Sequence, residues 1–167
     1  MTKSPLIVFD LDGTLVDTAP DLVGALNFVL QREGLPLVPM ASARAMIGAG
    51  ARKLIERGLE VDGREVSVAD LDRLTTDFIA YYKDHIADAS VPFDGLHAAL
   101  DTLEHQGFRF AVCTNKLEGL SRLLLAKLEM TGRFAAICGA DTFGVAKPDP
   151  TIFRQTVAQA GGDMSQA

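Results

Sequence analysis

The sequence predicts an α/β fold, a parallel sheet between helices with an all-helical block inserted after the first strand. Three observations predict it. Short apolar runs at 5–10 ("PLIVFD"), 108–114 ("FRFAVCT") and 134–140 ("FAAICGA") lack polar alternation, as strands buried on both faces do. The second and third runs flank "KLEGLSRLLLAKLEM", where Leu117, Leu120, Leu124 and Leu128 recur at helical spacing. Strand, helix, strand is a βαβ unit with parallel strands. Residues 17–90 carry helical periodicity and no convincing strand.

The remaining elements follow in order. Thr18 can cap a helix with Pro20 in its first turn and Asp21 near its positive end. Leu22, Val23, Leu26, Val29 and Leu30 form one apolar face, and Gly34 and Pro36 end it. "SARAMIGAGARKLIERGLE" reads as two short helices broken at Gly48 and Gly50. Leu71, Leu74, Phe78 and Tyr82 mark a long amphipathic helix. Beyond the block, Leu96, Ala99, Leu100 and Leu103 precede the second strand, and Gly107 can stop that helix. A last helix carries Ile152, Phe153, Val157 and Ala160.

Composition narrows the function classes. The 167-residue chain is 48% hydrophobic with net charge −6 and no Lys/Arg-rich block, so neither nucleic acid nor an anionic membrane is an expected partner. No apolar run approaches the ~18–20 residues of a membrane span, and the start lacks a signal-peptide pattern. A soluble, cytoplasmic protein is the expectation. Cys113 and Cys138 sit in apolar runs and read as buried thiols, and the three histidines show no metal-ligand spacing.

The chemistry lies at the strand ends. Ligands of open α/β sheets bind beyond the carboxyl ends of the strands. There the sequence puts Asp10 and Asp12, then Thr114 and Asn115, then Asp141 and Lys147. A carboxylate can attack phosphorus, a second can move protons, and a hydroxyl and an ammonium can hold phosphoryl oxygens. Gly13 lets the backbone amides of its turn, Thr14 included, approach a phosphate. Taken singly, each feature has a plainer explanation: Asp12-Gly13 as a turn, Thr14 and Thr114 as helix caps, Lys147-Pro148 as a solvated loop. Their joint order sets them apart.

"DLDGT" after an apolar strand, "CTN" ending a second and "KPDP" opening a later helix resemble the haloacid dehalogenase-like phosphatases along the whole chain. Within that family, "DGTLVDTAPDL", "IGAGARKLIERGL" and "GVAKPDPTIF" are most similar to phosphoglycolate phosphatases. The resemblance implies a discontinuous Rossmann-like core, residues 1–16 and 91–167, and a helical cap, residues 17–90. It implies that Asp10 is nucleophile and Mg²⁺ ligand, and that Asp12 is acid/base and lends its carbonyl to the metal. Thr114, Asn115 and Lys147 would hold the phosphoryl group. In the cap, Gly48, Gly50, Arg52 and Lys53 resemble a substrate-specificity loop, where Arg52 or Lys53 can pair with a substrate carboxylate. The substrate would be a small phosphorylated metabolite, 2-phosphoglycolate first and sugar phosphates or other small esters as alternatives. A phospho-receiver domain shares the Asp, Thr and Lys, but the helical insertion and the Asp-x-Asp-Gly-Thr spacing argue against it.

The resemblance departs at one point. The family's fourth motif, a further strand ending in Gly-Asp with another metal-binding Asp beyond, has no counterpart; Gly162-Asp163 follows a helix and reads as a loop. The expectation is a core truncated at its C-terminus, with weaker metal binding. "LIVFD" would then be an apolar sheet edge that favours a homodimer. A weakly active or inactive chain that only binds or assembles is the alternative function.

Overall fold

The computed structural model describes residues 4–60, 63 and 66–167. The chain divides into two units, Met1–Asp17 with Val91–Ala167, and Thr18–Ser90.

The first unit is built on three parallel strands: β1 (Leu6–Phe9), β4 (Arg109–Cys113) and β5 (Phe134–Cys138), in the order β1-β4-β5. Leu6 faces Arg109 and Phe9 faces Val112; Cys113 faces Cys138. The apolar runs become strands because each strand needs apolar residues on both sides once helices cover the sheet. The central strand β4 shows this best, with Phe110, Ala111, Val112 and Cys113 all buried. Helix α6 (Glu118–Lys127) packs on β5, and α7 (Pro150–Gln159) packs on β4 and β5. One core layer gathers Leu6, Ala111, Ala136, Cys138, Val157 and Ala160. Burying such side chains contributes roughly 1.5–3 kcal/mol for each larger one.

The edges depart from a uniform sandwich. β1 pairs only with β4 among the described residues, and Ile7, Val8 and Phe9 are only half-buried. Helix α5 (Leu96–His105) buries Leu100 alone, and Ala99 of its predicted stripe is exposed. Gly162 closes α7 by donating to the Val157 carbonyl at 2.8 Å, and the Asp163 side chain accepts from the Ser165 amide. Gly162-Asp163 is therefore a helix-end turn.

A second, two-stranded sheet lies outside the sequence reading. β2 (Val16–Asp17) pairs antiparallel with β3 (Val91–Pro92). Asp17, assigned to the helical block on sequence, pairs with Val91 in this sheet. Two residues per strand are too few to show periodicity.

The helical unit holds α1 (Ala19–Arg32), α2 (Met40–Arg44), α3 (Ala51–Glu60) and α4 (Val68–Asp84). Helix α1 packs against the other three. Gly58 on α3 admits Leu26 of α1, since a Cβ there would lie 2.9 Å from Leu26 Cδ1. The amide of Asn27 bridges Val38, its oxygen accepting from the Val38 N–H at 2.8 Å and its nitrogen donating to the Val38 carbonyl at 3.1 Å.

Thr18 stands at the N-cap of α1 without a side-chain cap bond. Asp21 does more than favour the helix dipole. Asp21 is 7% exposed, and its carboxylate accepts from the Ala89 amide, the Ser90 amide at 2.7 Å and the Ser90 hydroxyl at 2.6 Å. The two ends of the helical unit are thus tied together. Asp21→Ala leaves two backbone amides without this acceptor and is expected to lower the unfolding free energy by about 2–4 kcal/mol, read by urea titration.

Candidate active site

Parallel register brings three loops out at one edge of the sheet. Asp10 follows β1, Thr114 to Lys116 follow β4, and Gly139 to Asp141 follow β5. The loop before α7 adds Lys147. Two acid–lysine pairs result. Lys147 Nζ lies 2.8 Å from Asp10 Oδ2, and Lys116 Nζ lies 3.0 Å from Asp12 Oδ1. The second pair is deeply buried, with side chains 4% and 9% exposed; the Asp10–Lys147 side chains are about one-third exposed. Charges removed from water need such partners, because an isolated one costs several kcal/mol.

The β1 turn is held from within. Leu11 donates its amide to Asp10 Oδ1 at 2.7 Å. Gly13 takes φ +75°, which a side-chain-bearing residue rarely adopts, and donates to the Val16 carbonyl at 2.9 Å. Thr14 donates to the Leu11 carbonyl at 3.3 Å. The amides expected to meet a phosphate are therefore engaged inside the turn, and Gly13 is required there for its conformation.

The β4 loop corrects one role and adds a residue. Thr114 is 1% exposed; its hydroxyl accepts from the Lys116 amide at 3.2 Å and keeps a hydrogen to donate. Asn115, expected on the phosphoryl group, turns to the backbone of Lys147: its oxygen accepts from the Lys147 N–H at 2.8 Å and its nitrogen donates to the Lys147 carbonyl at 3.3 Å. It positions the lysine. Lys116 opens the segment whose leucine spacing predicts a helix. The helix begins two residues later, and the intervening turn carries the ammonium inward. Its adjacency to Thr114-Asn115 at a strand end was the available signal.

Gly139 makes that turn possible. A Cβ on Gly139 would lie 2.4 Å from the Lys116 carbonyl oxygen and 2.3 Å from the Glu118 nitrogen. Ala140 donates to the Lys116 carbonyl at 3.1 Å. Asp141 accepts from the Glu118 amide at 2.7 Å, capping α6 from the neighbouring loop. The Thr142 hydroxyl and then Arg122 hold the Glu118 carboxyl below its usual range.

A cavity of about 440 Å³ opens beside Asp10 and Lys147, walled mainly by Val8, Phe9, Pro148, Ile152 and Phe153. Cys113 lines it too, and burial pushes its thiol upward, as it does that of Cys138. Both are free thiols.

Gly48, Gly50, Arg52 and Lys53 belong to the helical unit. Gly48 and Gly50 take φ of +103° and +91° between α2 and α3. Arg52 pairs with Asp72 and Glu56, and Lys53 with Glu56, all partly exposed. These ion pairs are local to α3 and α4 and stabilise little.

The metal fit is partial. Asp10 and the Asp12 carbonyl are hard oxygen donors of the kind Mg²⁺ takes, and Mg²⁺ keeps several waters beside one or two carboxylates. Among the described residues no group of three His, Cys, Asp or Glu side chains gathers for a metal.

Asn115→Ala removes both bonds to the Lys147 backbone. The expected outcome is a loss of about 1–3 kcal/mol in urea unfolding, with faster proteolysis in the loop at 141–149.

Comparison with known proteins gives the relatives of this chain. Curated phosphoglycolate phosphatases from Caulobacter vibrioides and Mesorhizobium japonicum are 47% and 45% identical over 161 and 163 residues. These spans cover 96% and 98% of this chain and 68% and 72% of those proteins. A solved structure from Lactobacillus delbrueckii subsp. bulgaricus superposes with TM-score 0.86 at 24% identity, covering 98% of this chain and 75% of that one. A haloacid dehalogenase-like family hydrolase from Streptococcus pneumoniae gives 0.78 at 20% identity, over 95% and 70%. The family description "Haloacid dehalogenase-like hydrolase" matches residues 7–167. The chain belongs to the haloacid dehalogenase-like hydrolase family.

Proposed function

We propose that the chain hydrolyses small phosphomonoesters through an aspartyl-phosphate on Asp10, with 2-phosphoglycolate as the substrate. The observation that carries this reading is the Asp10–Lys147 pair at the carboxyl end of β1, with buried Thr114 and the largely covered Asp12 side chain in the adjoining turns. The substrate is taken from the names of the curated relatives.

In the first step an Asp10 carboxylate oxygen attacks phosphorus, and the bond from phosphorus to the substrate oxygen breaks. A proton that Asp12 has taken from solvent passes to that oxygen. Lys147 shifts from Asp10 to the phosphoryl oxygens, and Thr114 donates its hydroxyl hydrogen to them. In the second step water attacks phosphorus, Asp12 takes its proton, and the bond to Asp10 breaks. Orthophosphate leaves, Asp12 returns that proton to solvent, and both carboxylates are restored. Mg²⁺, held by Asp10 and the Asp12 carbonyl, would neutralise charge on the phosphoryl oxygens.

A second reading rests on β1, whose outer edge meets no described strand. There the chain is an assembly module that pairs through β1 as a homodimer. Sedimentation of a clean monomer would exclude that.

The test is phosphate release from 2-phosphoglycolate with Mg²⁺ and with EDTA. Mg²⁺-dependent release is expected, abolished in Asp10→Asn while the circular dichroism and melting of the variant stay native-like. Full activity in Asp10→Asn would overturn the nucleophile assignment.

A further inference from the structure

The function proposed above uses one lysine, Lys147. The structure holds a second lysine against a second acid, and that pair is the more buried. Lys116 Nζ reaches Asp12 Oδ1 at 3.0 Å, with side chains 4% and 9% exposed. Three separate contacts support the turn that delivers Lys116. The Thr114 hydroxyl accepts from its amide, its carbonyl accepts from Ala140, and Gly139 leaves the gap its backbone fills. A lysine with no task would not be drawn inward by this much local structure, because burying its ammonium is costly without a partner.

We infer that Lys116 is the positioning residue for Asp12: it fixes the carboxylate that takes the proton from water when the aspartyl-phosphate is hydrolysed. The inference rests on the function proposed above. A carboxylate flanked by an acidic neighbour two residues away would otherwise turn towards solvent or a cation. The ion pair holds one oxygen, so the group presents a defined orientation to the attacking water. Proton transfer by a positioned group is worth about 10²–10⁴-fold, and a displaced one loses most of that.

The expected signature is confined to one step. An aryl phosphate such as p-nitrophenyl phosphate leaves as a phenolate and needs little proton donation, so its burst reports attack by Asp10. Its steady-state rate reports hydrolysis of the aspartyl-phosphate, where Asp12 acts as base. In Lys116→Met the steady-state rate should fall by about 10²-fold while the burst amplitude survives, and acid-quenched samples should hold more phosphoenzyme. Lys116→Arg should recover most of the rate. Equal loss of burst and steady state, or no rescue by arginine, would make Lys116 a structural residue only. Asp10→Asn should show no burst, which separates failure of the nucleophile reading from failure of this one.

A stability cycle tests the pair without turnover. Asp12→Asn and Lys116→Met each strand a buried charge, so the double variant should melt no lower than the worse single variant. Strictly additive losses in melting temperature would overturn the pairing. Should the wild-type chain release no phosphate, the proposed function fails, and the cycle alone decides whether Lys116 holds Asp12.

Discussion

Two carboxylates follow an apolar strand, and the architecture around that strand end answers the need to keep their charge stable in a partly dry place. Asp10 and Asp12 lie two residues apart and would repel each other if left to themselves. A lysine from a different loop meets each one. Coulombic attraction strengthens as water is excluded, so the pairing is most consequential at Asp12.

Much of the first unit delivers those lysines. Parallel pairing of β1, β4 and β5 puts every strand's carboxyl end on one side, and the register aligns the loops. Gly139 allows the β5 loop to touch the turn carrying Lys116 at a distance no other residue tolerates. Asn115 reaches across to the Lys147 backbone. Asp141 closes the arrangement by capping α6. Side-chain amides and carboxylates here replace the backbone bonds that irregular loops lack.

The helical unit follows the same logic with different residues. Asn27 bridges both polar groups of Val38, as Asn115 does for Lys147. Asp21 gathers the amides of Ala89 and Ser90, tying the two ends of the unit. In both units a polar side chain of low helix propensity does its work on distant backbone. Ion pairs on the exposed faces of α3 and α4 are screened by solvent and matter less to the fold.

The sequence by itself determined the elements whose signal is periodic or local. The three apolar strands, the break at Gly48 and Gly50, and the apolar stripe of α4 were legible because burial imposes a pattern on neighbouring residues. That Asp10 and Thr114 follow strands whose carboxyl ends share one edge was legible too, since parallel strands put those ends together. Tertiary structure alone decided which group meets which. Lys116 stood at the start of a segment with helical spacing, Asn115 looked like a phosphate ligand and Asp21 like a dipole partner. Each is defined by a contact to a group far away in sequence, and the two-residue strands β2 and β3 exist only as each other's partner. Pairing across loops depends on where the chain returns, and no pattern along the chain encodes that distance.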